Sequence, residues 1–145
     1  MIICRESKFH MAHRLLEHKG KCFHLHGHTY RLLVYVVGSV GVNSGMVLDF
    51  SDLDRRINSV VDMLDHAVMV SDRDISLRQA LKILDTRFVP IEGESTAENI
   101  VIWLWSNIKG RLVNSNTVLD RLVLFETDKS SVIYRGEHEF GELGS

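Results

Sequence analysis

The chain has 145 residues, 45% of them hydrophobic and 25% charged, and a formal net charge of −2. These proportions describe one ordinary globular domain and exclude a disordered chain, while a single proline excludes collagen-like and Pro-rich ones. The slight negative charge speaks against a strongly basic nucleic-acid binder, whose phosphate contacts need excess Lys and Arg. No apolar run reaches the roughly 18–20 residues of a membrane helix. The opening Met1–Glu6 is not a basic n-region with an apolar stretch behind it. Two cysteines, Cys4 and Cys22, make no disulfide framework. The expectation is a cytoplasmic protein with neither nucleic-acid nor membrane partners.

Residues 2–13 read as a strand with Cys4 as a small core residue, and Tyr30–Val37, rich in β-branched and aromatic side chains, reads as a second. Gly41 to Gly45 punctuate the chain and predict a return strand near 46–50. A helix capped by Ser51 follows, with Leu53, Ile57, Val60, Val61 and Leu64 at helical spacing. Ser76 starts a shorter helix with Leu77, Ala80, Leu81 and Leu84 on one face, and Arg87–Val89 is a short extended stretch closed by Pro90. A third helix begins near Thr96, where Ser95 and Glu98 form an S-x-x-E capping pattern, and Ile100, Trp103, Leu104 and Ile108 share a face. Two strands, Leu119–Glu126 and Ser131–Arg135, close the chain around Thr127–Ser130. Paired strands, helices, then paired strands again define an α+β antiparallel class.

Composition alone does not explain eight histidines, six of them between His10 and His28. In an extended chain residues two apart share a face, so His26 and His28 project together, and Gly27 leaves room on the opposite face. Two neutral imidazoles on one face are a natural zinc pair; a catalytic site adds a third ligand and keeps a fourth position open. His13, in a strand able to pair beside 24–30, is the best third ligand. A lone histidine is ordinarily just a polar side chain, and His10, His18, His24 and His138 keep that reading, with His24 also able to support His26. Cys22 is placed to be either a fourth, structural ligand or a reactive thiol acting as general base. Asp65 can hold His66 in one tautomer, and Glu126 ends an apolar run where a carboxylate needs a partner. Thr96 and Glu98 read first as capping residues.

Together, in order and over nearly the whole chain, these motifs resemble the 6-pyruvoyltetrahydropterin synthase family, especially its 6-carboxy-5,6,7,8-tetrahydropterin synthase branch. They are Phe9-x-x-Ala12-His13, Cys22-x-x-x-His26-Gly27-His28, Gly45–Phe50, Leu64-Asp65-His66, Thr96-x-Glu98-Asn99, Phe125-Glu126-Thr127 and Tyr134–Glu137. The resemblance implies His13, His26 and His28 as zinc ligands, Cys22 as catalytic base, Asp65 and His66 as a proton-transfer dyad, and Glu126 as the pterin anchor beside Thr96 and Glu98. It implies a zinc-dependent lyase that turns 7,8-dihydroneopterin triphosphate into 6-carboxy-5,6,7,8-tetrahydropterin, acetaldehyde and triphosphate, on the way to 7-deazaguanine (queuosine-type) products. A cysteine separated from the HGH motif by three residues is the carboxy-branch spacing that the resemblance implies. The alternatives are the pyruvoyl synthase, which eliminates triphosphate only, and a silent zinc- and pterin-binding member. The implied architecture is a tunnelling fold: a four-stranded antiparallel sheet, helices on one face, and subunits joined into a barrel, a hexamer of two trimers with sites between subunits. Residues 1–145 form a single domain, with 72–94 a longer insertion than in short members. The run Ala67–Val70 departs from the family's usual LDHxxLN continuation, and Ser95 stands where a proline is frequent. Lys8, Arg14, Lys19 and Lys21 are the candidate triphosphate cations.

Overall fold

The structure, a computed structural model, describes residues 1–112 and 116–136. Glu137, His138 and the terminal 141–145 lie outside the described residues. The elements are β1 (Ile2–His13), β2 (His26–Gly38), α1 (Phe50–Leu64), β3 (Ala67–Ser71), α2 (Ile75–Ile83), β4 (Phe88–Ile91), α3 (Ala97–Leu112), β5 (Thr117–Thr127) and β6 (Ser130–Tyr134). No helix among the described residues is long and apolar enough to cross a membrane.

The strands form one six-stranded sheet in the order β4-β3-β1-β2-β5-β6, two strands more than expected. Antiparallel pairing joins β1, β2, β5 and β6, whereas β3 and β4 add in parallel beside β1. All five residues of β3 are buried. A strand covered on both faces has no polar alternation to mark it. Pro90 lies within β4 rather than closing it, tolerable because β4 is an edge strand.

The return strand near 46–50 is absent. β2 is already flanked by β1 and β5, so no edge is free for it, and a glycine loop closed by Gly41 N–H to Met46 O (2.9 Å) leads straight to α1. Asp49, not Ser51, caps α1: its carboxylate accepts from the Ser51 N–H at 2.7 Å. Asp74, not Ser76, caps α2 by accepting from the Leu77 N–H. For α3 the Thr96 hydroxyl accepts from the Asn99 N–H, while Ser95 is turned toward Arg14.

The main core lies between the sheet and α1 with α3. It joins Phe9, Met11, Tyr30, Leu32, Val34, Leu122 and Leu124 to the predicted α1 stripe and to Ile100, Leu104 and Ile108. Each fully buried Leu or Ile there contributes about 1.5–3 kcal/mol. The helices are not all on one face, however. Leu77 and Leu81 of α2 pack on Val68 and Val70, against the opposite side of the sheet from Met69. Leu84 (70% exposed) and Ala80 stay outside that contact. Cys4 also corrects the expectation: it shares the parity of Glu6 and Lys8 and is exposed.

Candidate metal centre and substrate cavity

β1 and β2 pair so that His13 faces His26 and Met11 faces His28. Their alternation puts His13, His26 and His28 on the core side at the end of the sheet, with ring centroids 4.8–5.2 Å apart. One nitrogen from each ring lies within 4.8 Å of the others. The His13 Nδ1–H donates to the Ser95 carbonyl at 2.6 Å and the His26 Nδ1–H to the His24 carbonyl at 2.7 Å. These bonds fix the tautomer and leave Nε2 as a bare lone pair. The Nε2 atoms of all three histidines are buried and unpartnered. Burial is the main reason that His13 and His28 hold their protons less tightly than usual, and the neighbouring imidazoles add to it. Three neutral, converging, orphaned nitrogens fit a divalent metal with a further position open.

Cys22 sits in a helical turn, Lys21–Phe23, and is half-buried. Its sulfur is not part of the mutual 4.8 Å cluster, so it is not a fourth member of the ligand set.

Glu126 is the extra residue of a β-bulge: Phe125 pairs with Ser131 and Thr127 with Ser130, leaving Glu126 between them. Bulges re-aim side chains. Here the carboxylate oxygens come 3.9 Å from His13 Nε2 and 3.8 Å from His28 Nε2. Glu126, Thr96 and Glu98 line one cavity of about 500 Å³ together with Lys129, Ser130 and Ser131. Tyr30, two residues beyond His28, stacks on Phe9 at 5.1 Å, and its buried hydroxyl faces the Glu126 carboxylate. Burial first, and then the Glu126 charge, hold that hydroxyl firmly protonated. Parity from His28 was a signal for Tyr30; nothing local marks Ser95 or the bulge.

Asp65 and His66 are joined, His66 Nδ1 lying 2.9 Å from Asp65 Oδ2. The His10 N–H donates to Asp65 Oδ1 at 2.8 Å, and these bonds, the His10 one foremost, keep the carboxyl below its usual range. His66 adopts φ +59°, a left-handed conformation that a non-glycine residue keeps only when its surroundings enforce it. Its ring meets the His10 ring edge-on at 5.6 Å. His10 is an exposed, hydrogen-bonding histidine, its Nδ1 3.0 Å from the Thr29 hydroxyl, and with Thr29 and His66 it lines a groove of about 450 Å³. His10 and Thr29 alternate with the core-facing Met11 and His28. The dyad thus belongs to the opposite face of the sheet from the triad. Of the candidate cations, Arg14 is engaged by Asp74, whereas Lys8, Lys19 and Lys21 are exposed.

The family model described as 6-pyruvoyl tetrahydropterin synthase matches residues 2–137. A 6-carboxy-5,6,7,8-tetrahydropterin synthase from Haemophilus influenzae is 33% identical over 140 residues, covering 92% of this chain and 97% of its own. A 6-pyruvoyl tetrahydrobiopterin synthase from Drosophila melanogaster is 31% identical, covering 94% and 80%. The solved 6-pyruvoyl tetrahydropterin synthase of Caenorhabditis elegans superposes with a TM-score of 0.72 at 30% identity, covering 94% and 96%. The α+β architecture is that of the tunnelling fold.

Proposed function

The chain belongs to the 6-pyruvoyl tetrahydropterin synthase family, and from that premise we propose that it is a zinc-dependent 6-carboxy-5,6,7,8-tetrahydropterin synthase acting on 7,8-dihydroneopterin triphosphate. The observation that carries the reading is the orphaned His13–His26–His28 set with Glu126 aimed beside it into a cavity. His13, His26 and His28 hold the ion; zinc suits three imidazoles with one open position and, when bound, supplies Lewis acidity to side-chain hydroxyls. Glu126 anchors the pterin, its two oxygens accepting from the amino-pyrimidine N–H groups, with Thr96 and Glu98 at the cavity wall. Cys22 removes a side-chain proton, and His66, oriented by Asp65, moves protons in turn.

Because each subunit turns its dyad to the face away from its triad, the complete site needs a second copy of the chain. A homohexamer of two trimers, its sheets joined into a barrel, meets that need. The cytoplasmic setting and the place in 7-deazaguanine (queuosine-type) synthesis belong to the same proposal. Two features favour the carboxy product: the spacing from Cys22 to His26 and the likeness to the Haemophilus influenzae enzyme. The pyruvoyl product is the second reading, favoured by the Drosophila melanogaster relative. Incubating the zinc-loaded protein with dihydroneopterin triphosphate decides. Acetaldehyde with a 6-carboxypterin supports the first reading and a 6-pyruvoyl product the second, while an untouched substrate refutes both.

A further inference from the structure

The loop 14–25 joins the two strands that carry the histidine triad and holds Cys22. Its own bonds are short-range apart from one across the loop, Leu15 N–H to Cys22 O at 2.9 Å; the others run from His18 N–H to Leu15 O, Gly20 N–H to His18 Nδ1, Phe23 N–H to Gly20 O and His24 N–H to Lys21 O. Its anchors to the rest of the fold come from the 72–94 segment and the residue after it. Arg14 donates through Nε and Nη2 to both oxygens of Asp74, at 2.6 and 2.7 Å, and through Nη2 to the Ser76 hydroxyl at 3.2 Å. The Leu16 N–H donates to Glu94 Oε2 at 2.8 Å, and the Ser95 hydroxyl to the Arg14 carbonyl. Asp74 is 2% exposed and also caps α2, so the guanidinium is held against a fixed point. The other side of that guanidinium lies 5.7 Å from the centre of the Phe23 ring, the residue next to Cys22. A forked, charge-assisted pair between a half-buried guanidinium and a buried carboxylate fixes orientation as well as distance.

We propose that Asp74, acting through Arg14 and the Phe23 ring, is a positioning residue for the Cys22 thiol, and that the 72–94 segment is the brace that holds the catalytic loop. The role in turnover rests on the pterin-synthase reading; the brace itself does not. Without the pair, the loop keeps its local bonds and the Leu16 and Ser95 contacts but loses the anchor beside the Phe23 ring, so Cys22 opens to solvent more often while spending less time where it can take a proton from substrate.

The test uses the zinc-loaded full chain and iodoacetamide, with carbamidomethylation of Cys22 and Cys4 followed separately by mass spectrometry. Cys4 is exposed and remote from the brace, and serves as the internal reference. Asp74→Asn keeps an oxygen to cap α2 and removes the charge. It should raise the Cys22-to-Cys4 rate ratio about tenfold and lower kcat about tenfold, with KM and zinc content within about twofold of the parent. Asp74→Glu, which keeps the carboxylate, should restore most of both. Arg14→Lys, which loses the fork and the ring contact, should repeat the Asn result and serves if Asp74→Asn does not fold. A ratio within twofold of the parent in the folded variants overturns the proposal, whatever happens to the melting temperature. A raised ratio in a chain that does not consume dihydroneopterin triphosphate upholds the brace and refutes the pterin reading.

Discussion

Removing metal is the sharpest perturbation of the triad. Three Nε2 atoms are buried without a hydrogen-bond partner, and His13 is only 1% exposed, so the metal-free protein carries desolvated nitrogens that the Glu126 carboxylate, 3.9 Å from His13 Nε2, offsets only in part. An ion that binds only the folded state adds RT ln(1 + [L]/Kd), about 2.7 kcal/mol at 100-fold over Kd and about 4.1 kcal/mol at 1,000-fold. For a chain of this size each kcal/mol moves the melting temperature by roughly 2–4 °C, so reloading zinc should raise it by roughly 5–16 °C. Histidines 10–28 also bind zinc weakly in the unfolded chain, which pulls the shift toward the lower figure. Thermal unfolding at buffered free zinc measures the shift, and competition with a chromophoric chelator measures the affinity. His26→Ala deletes one nitrogen of three and should weaken zinc at least about 100-fold, reducing the thermal increment to less than half at the same free zinc. His18→Ala, at a ring that accepts from the Gly20 N–H and stands outside the three-histidine cluster, should keep the full increment. If reloading raises nothing, or if His26→Ala gains as much as the parent, the three histidines are not a metal centre.

Three further outcomes follow from the packing. Tyr30→Phe keeps the stack on Phe9 and removes a buried hydroxyl that faces the Glu126 carboxylate, so urea unfolding should show about 1 kcal/mol of lost stability; an unchanged or raised midpoint would mean that hydroxyl and carboxylate do not interact. Leu104, fully buried between α3 and the sheet, should cost about 2–5 kcal/mol as Leu104→Ala, seen as a lower urea midpoint at an unchanged slope. The Arg14 hydrogen bonds hold the Asp74 carboxyl below its ordinary 3.8, against an opposing push from burial. A carboxylate with a lowered folded-state pKa stabilises fully above its unfolded value, and that stabilisation is lost as pH falls through the folded value. Unfolding measured from about pH 6 down to about pH 2.5 should therefore show the parent losing its advantage over Asp74→Asn below about pH 4; parallel curves would refute the pair's contribution.

What the sequence revealed divides by the range of the signal. The period of two is local, so His26 and His28 could be put on one face from three consecutive residues, and His13 joined them once β1 and β2 were paired. The stripe of α1 was legible for the same reason, since Leu53 to Leu64 repeat within one helix. Signals that depend on distant chain were not legible. β3 reads AVMVS, an apolar run with no alternation, because α2 covers one side and the main core the other. α2 was visible as a helix, but which face of the sheet it covers depends on Leu77 and Leu81 meeting Val68 and Val70. The caps of α1 and α2 were misplaced by two residues because Asp49 competes with Ser51, and Asp74 with Ser76, and a carboxylate acceptor makes the stronger bond to a free N–H. At the site, a Glu at the end of an apolar run pointed to a ligand, but its aim between His13 and His28 arises from a bulge set by the register of β5 on β6. The face that divides the dyad from the triad follows the same logic. Met11 and His10 are adjacent, yet one packs in the core and the other meets His66 on the far side. Alternation alone carries that separation, and it is why one folded chain holds the three histidines and the Asp65–His66 pair on opposite faces.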